Sequence, residues 1–130
     1  LAVFESRLAA SVARLKSANK TVYLWGPVPG AKAAVPKALA LSAWRGVSKN
    51  LEITREEHRK QFGFFYDAVG RQNEGDVRLI LPSQVLCSTG TCRVVADGFP
   101  LYFDNAHMAS TPSNYWSRIM EASEELPSPR

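Results

Sequence analysis

The stretch TVYLWGPVPG, residues 21–30, limits what this chain can fold into more than any other. Thr21 to Trp25 have the β-branched and aromatic make-up of a buried strand, and Gly26 ends the run. Pro27 and Pro29 follow. Each fixes φ and lacks an N–H donor, so Gly26 to Gly30 can join neither a helix nor a sheet ladder. Helical patterns lie on both sides. From Leu1 to Ala18 the apolar residues Phe4, Leu8, Val12 and Leu15 form one face of an amphipathic helix. Val35 to Trp44 also reads as helix, before an irregular stretch from Arg45 to Asn50. A strand between helices predicts an α/β sheet. In such a sheet a loop after a strand either contacts ligand or only connects strand to helix.

Downstream, Thr54-Arg55-Glu56-Glu57 has capping-box spacing and predicts a helix to about Val69, with Phe62, Phe65, Tyr66 and Val69 on its apolar face. His58 falls in its first turn between Glu57 and Arg59, the setting of a solvated surface histidine. Asp76 to Leu81 predicts a second strand, ended by Pro82. Cys92 to Val95 and Leu101 to Phe103 predict short strands about an Asp97-Gly98 turn. Pro112 predicts the first turn of a last helix, capped by Ser110 or Thr111, with Tyr115, Trp116, Ile119 and Met120 on its apolar side. The expected organisation is one domain over residues 1–125 and a tail over 126–130.

Composition excludes some classes. Hydrophobic residues make up 45% and charged residues 22%, which argues against a disordered chain. The net charge is +4, but the sixteen Lys and Arg are scattered without a contiguous block, so nothing favours a nucleic acid partner. No run approaches the length of a membrane span and no signal peptide is visible, which says nothing of where the parent protein lives. The chain opens without methionine, directly in helical pattern, and so reads as a piece of a longer protein.

Two short motifs carry chemistry. Cys87 and Cys92 have four residues between them, Gly90 included, and neither a second cysteine pair nor a nearby histidine pair completes a metal site. That spacing favours a disulfide, and with it an oxidising compartment. The apolar run Leu101-Tyr102-Phe103 stops at Asp104, and His107 follows three residues later, near enough in a turn to touch it. An imidazole, with an ordinary pKa of about 6.5, takes a hydroxyl proton best when a carboxylate accepts its other N–H. The same spacing also describes a strand end followed by a plain turn. Its place after an apolar strand, where an α/β sheet carries its chemistry, favours the catalytic reading.

The segment PLYFDNAHMAS resembles the C-terminal motif of the SGNH hydrolase-like domain attached to acyltransferase-3 membrane proteins, bacterial enzymes that O-acylate lipopolysaccharide and other surface glycans. That motif runs, approximately, Leu-Tyr-x-Asp-x-x-His-Leu-Ser-x-x-Gly-Ala, after a short cysteine pair and an Asp-Gly turn. Leu101, Tyr102, Asp104 and His107 match it, as do Cys87, Cys92, Asp97 and Gly98. VYLWGPVPG is similar to the family's strand and Gly-Pro-x-Pro loop, so the likeness runs from Thr21 to Trp116. The chain departs from the pattern at Met108-Ala109 and at Pro112. It also lacks the Gly-Asp-Ser nucleophile block and the oxyanion-hole glycine and asparagine; its one Gly-Asp, Gly75-Asp76, is followed by Val77, so the sequence either begins after the nucleophile block, the favoured reading, or is a degenerate, non-catalytic copy.

The resemblance implies a partial flavodoxin-like (SGNH hydrolase) three-layer α/β/α sheet whose N-terminal strands are missing, with an open edge at Thr21 to Trp25. It implies a Ser-His-Asp type site in which His107 is the general base and Asp104 its orienter. The reaction would be O-acyl transfer, with an acetyl group derived from acetyl-CoA passed to lipopolysaccharide or another glycan acceptor. The implied partner is the acyltransferase membrane domain of the same parent chain, at the periplasmic face of the bacterial inner membrane. No cofactor is expected to be bound by this part, which lacks a nucleophile and is expected to be inactive alone. Two other readings come from the residues. One is a non-catalytic glycan- or protein-binding module using Trp25, Trp44 and Tyr102 as stacking platforms; the other is an esterase using Ser42 or Ser48.

Overall fold

The computed structural model describes residues 1–72, 77–110 and 114–125, with the backbone alone at 114, 115 and 122–125. Its elements are α1 (Ala2–Ser17), β1 (Val22–Trp25), α2 (Val35–Arg45), α3 (Arg55–Gly70), β2 (Val77–Ile80), α4 (Pro82–Leu86), β3 (Val95–Ala96), β4 (Phe99–Pro100) and α5 (Asn114–Glu125). β1 and β2 pair in parallel, Val22 opposite Val77 and Trp25 opposite Ile80. Parallel pairing requires a crossover, and α2 and α3 supply it.

Strand alternation sorts the helices into layers. Val22 and Val77 point to one face, where they join Val12 of α1 in a small core with Leu8 and Leu24 packed against it. Trp25 and Ile80 point to the other. There Trp25 meets Trp116 of α5 at 5.4 Å, and Ile80 shares the main core with Ile119. Helix, sheet and helix therefore stack as three layers. The second edge of β1 has no partner strand among the described residues, as the resemblance implies. Tyr23 and Trp25 are correspondingly half-exposed. On α1 only Val12 is fully buried, while Phe4 and Leu15 stay exposed, because a two-stranded sheet is too narrow to cover the whole helix face.

The capping box at the start of α3 forms in full. Thr54 Oγ1 accepts the Glu57 N–H at 3.0 Å, and Glu57 Oε2 accepts the Thr54 N–H at 2.6 Å. The helix kinks at Phe62, where φ is −111° and ψ is 18°. Val69 is buried on the expected face. His58, expected at the surface, is instead buried at 1% exposure. Its Nε2 lies 2.8 Å from the Tyr66 hydroxyl, which lies 3.0 Å from Ser83 Oγ. The helix face turns His58 inward on Phe62, its aromatic neighbour four residues on.

The C-terminal half departs further from expectation. Pro82 ends β2 but also begins the five-residue α4, where its fixed φ suits a first helical turn. The Asp97-Gly98 turn is present, both residues at positive φ (51° and 81°), and joins β3 to β4. That hairpin is two residues to a side, so neither Cys92 to Val94 nor Leu101 to Phe103 is a strand. Leu101 N–H still reaches the Val94 carbonyl, but Tyr102 then bridges only to Met108 as the chain turns back. The Cys87–Cys92 disulfide forms and is fully buried. It lies in the main core with Val35, Leu86, Leu101 and Tyr102. Asp76, Thr111 and Pro112 lie outside the described residues. In α5, Ile119 is buried as expected, whereas Met120 is 38% exposed.

Candidate active site

Asp104 and His107 sit at the tip of the loop closed by the Tyr102–Met108 bridge. Asp104 Oδ1 accepts the main-chain N–H groups of Ala106 and His107, each at 2.7 Å, which bends the chain into an Asx turn. The turn brings Oδ2 to 2.7 Å from His107 Nδ1. One carboxylate thus shapes the loop with one oxygen and holds the imidazole with the other. The amides of Ala106 and His107, then the imidazole, hold the Asp104 pKa down to about 2. The carboxylate therefore stays charged across the working range of an imidazole base.

The ring has a second support that the sequence reading missed. Phe103 stacks on His107, centroids 5.4 Å apart and planes 16° from parallel. The signal was present as an aromatic residue next to the acid, but spacing alone does not show which way a side chain turns. The His107 side chain is 70% exposed and Asp104 34% exposed. With Nδ1 taken by the carboxylate, Nε2 is the nitrogen left to accept a proton.

The loop is fastened to the Gly-Pro-Val-Pro-Gly segment after β1. The Tyr102 hydroxyl donates to the Pro29 carbonyl at 2.5 Å, and the Ala31 N–H donates to the Asn105 carbonyl at 2.8 Å. Gly30 permits that approach, since a Cβ there would stand 3.3 Å from the Asn105 oxygen. The first N–H of α2, from Val35, donates to the Asp104 carbonyl at 3.1 Å. The Asp104–His107 pair therefore does not follow a sheet strand of its own, as the sequence suggested. It reaches the carboxyl end of β1 by packing on the loop that β1 feeds.

The other sequence candidates fare unevenly. Tyr102 is fully buried and cannot serve as a stacking platform; Trp44 is 78% exposed, and Trp25 packs on Trp116. No hydrogen bond joins Ser42, Ser48 or any other serine to His107 among the described residues. Among those residues no group of three His, Cys, Asp or Glu side chains is arranged to hold a metal ion. No helix among them is long and apolar enough to cross a membrane.

The ordered set is now complete: a parallel pair of strands, the Gly-Pro-x-Pro loop, a buried cysteine bridge, an Asp-Gly turn and a hydrogen-bonded Asp-x-x-His. A family model described as the SGNH domain fused to AT3 domains matches residues 1–122. This chain belongs to that SGNH family. Membership places it among hydrolase-like modules associated with acyltransferase domains. Neither the curated proteins nor the solved structures contain a match. Within this SGNH domain the described residues hold the hydrogen-bonded Asp104–His107 pair and its supporting loop.

Proposed function

We propose that this SGNH domain contributes the base and its orienter to an O-acyl transfer site, with a surface glycan as acceptor. The observation that carries the reading is the 2.7 Å contact between Asp104 Oδ2 and His107 Nδ1 on an imidazole whose side chain is 70% exposed. A carboxylate in that place fixes the proton on Nδ1, leaves the Nε2 lone pair free, and stabilises the imidazolium that forms. The serine that His107 serves lies outside this chain's motifs. His107 takes its hydroxyl proton as the oxygen attacks the donor's acyl carbonyl, then returns the proton to the leaving group. A sugar hydroxyl, deprotonated by the same imidazole, next attacks the acyl-serine, and the serine recovers its proton from His107. A donor derived from acetyl-CoA, delivered by the AT3 domain at the periplasmic face of a bacterial membrane, suits the buried disulfide, which an oxidising compartment preserves.

The experiment is His107→Ala in a protein that carries this domain fused to its AT3 domain. Glycan acylation is expected to fall to background while the domain's circular dichroism is unchanged. Acylation at the native rate would remove His107 from the mechanism. The chain alone is expected to leave an activated acetyl ester unhydrolysed, because no serine is hydrogen-bonded to the imidazole among the described residues.

A further inference from the structure

The cations of this chain are scattered, but its acids are not. Between residues 6 and 51 it holds eight of its sixteen Lys and Arg and none of its twelve Asp and Glu. All of α2 falls in that stretch, and its outer side borders an open groove of ≈ 470 Å³. Ala38, Leu41 and Val47 line the groove together with Lys37, Arg45 and Lys49. All three cations are exposed, and no salt bridge ties them to an acid among the described residues. Trp44 stands on the adjoining strip of the helix, 78% exposed, with the Arg45 guanidinium 5.5 Å from its ring. Val47 is 58% exposed and Leu41 37%. A tryptophan left this bare beside exposed aliphatic groups and acid-free cations marks an interaction surface.

We propose that this face of α2 docks on an anionic phospholipid surface. The chemistry matches on both counts. An indole sits favourably at headgroup depth, with Leu41 and Val47 entering the acyl boundary beside it. Lys37, Arg45 and Lys49 lay their aliphatic stems along the apolar groove and reach lipid phosphates with their charged ends. Charge complementarity favours a sheet of phosphates over a neutral glycan, which would leave three cations without counter-charge. The Val35 N–H bond to the Asp104 carbonyl fixes the other end of the helix to the loop of the acid–base pair. Eleven residues at 1.5 Å each then keep that pair within roughly 16 Å of the docked end. The proposal stands or falls apart from acyl transfer, since vesicle binding does not involve His107.

Sedimentation of the chain with vesicles tests it. Binding is expected with phosphatidylcholine vesicles doped with phosphatidylglycerol, not with phosphatidylcholine alone, and it should weaken as salt is raised. Each cation near the surface contributes roughly fivefold, so the double variant K37Q/R45Q should bind roughly thirtyfold more weakly. Brominated lipid should quench native fluorescence, and that quenching should be lost in W44F although Trp25 and Trp116 remain. No binding to phosphatidylglycerol vesicles overturns the proposal, and so does native binding by K37Q/R45Q. An equal loss in R7Q/R14Q, which removes two exposed α1 cations, also overturns it by assigning the affinity to net charge.

Discussion

Tyr102 donates its buried hydroxyl to the main-chain carbonyl of Pro29 across 2.5 Å, joining segments seventy-three residues apart in sequence. The buried Pro29 carbonyl accepts no main-chain N–H among the described residues, so its partner is this side-chain donor. Burial pushes the phenol above its ordinary pKa and keeps it protonated as that donor. Tyr102→Phe should leave the carbonyl buried without a partner and cost about 1–3 kcal/mol. Urea unfolding followed by far-ultraviolet circular dichroism measures the difference. A variant as stable as the native chain would show that the bond holds nothing.

Asp104 performs two tasks, and two substitutions separate them. In Asp104→Asn the carbonyl oxygen still accepts the amides of Ala106 and His107, so the turn should persist. The amide NH2 then faces His107 Nδ1 and forces the proton onto Nε2. In the AT3-fused protein acyl transfer should fall by about 10²–10⁴. Asp104→Ala loses the turn as well as the charge. Nitrogen NMR of the chain itself reports the tautomer. The native imidazole should carry its proton on Nδ1 when neutral, and Asp104→Asn should move it to Nε2. A native Nε2–H tautomer would contradict the assigned roles.

The same carboxylate sets an acid limit on the loop. Its pKa falls from an ordinary 3.8 to about 2 in the folded chain. The stabilisation this brings is therefore complete above about 3.8 and disappears as pH falls through 2. Protection of the His107 amide from hydrogen exchange should thus hold at pH 4. Loss of that protection well above pH 4 would show that the Asx turn is not held by the carboxylate.

His58 contributes in a different pH window. It is buried, its Nδ1 has no hydrogen-bond partner among the described residues, and burial lowers its pKa below 6.5. The folded state holds it neutral. Stability is thus full above 6.5 and declines as pH falls through the lower folded value, by up to about 1.4 kcal/mol per pH unit for one proton. His58→Phe keeps the ring packing against Phe62 and leaves Tyr66 its bond to Ser83. That variant should lose less stability between pH 6.5 and pH 5 than the native chain. Identical urea midpoints across that range in both proteins would reject the account.

What sequence could show divides along physical lines. The capping box of α3, the proline-bounded loop and the Asp97-Gly98 turn depend on local backbone chemistry, and each formed where residue type required it. The Asp104–His107 contact is also local, closed by three residues and one Asx turn. Tertiary choices were not legible in this way. His58 carries the same flanking charges whether it faces out or in, and the kinked helix turned it in. Leu101 to Phe103 has strand composition, but the demand of Asp104 for two amides ended the ladder after a single bridge. Nor did spacing reveal that Asn105 and Gly30 touch, because contact between distant loops is a property of the packed molecule.

The disulfide offers the most direct test of how the site is held. Cys87 and Cys92 close a loop of five-residue separation in the core, and the main chain on both sides supports α3. The Cys87 carbonyl accepts both Arg55 Nε and Arg55 Nη2, and the Cys92 N–H donates to the Ile53 carbonyl at 2.8 Å. Cutting the bridge frees the unfolded chain and should cost about 2 kcal/mol in the chain-entropy view. Because both sulfurs are fully buried, reduction should be slow in the folded state and fast in urea. The paired variant C87A/C92A should show the same loss without reductant, while retaining the His107 tautomer, since Asp104 and His107 are held by their own turn. A change of tautomer in C87A/C92A would instead tie the acid–base geometry to the bridge.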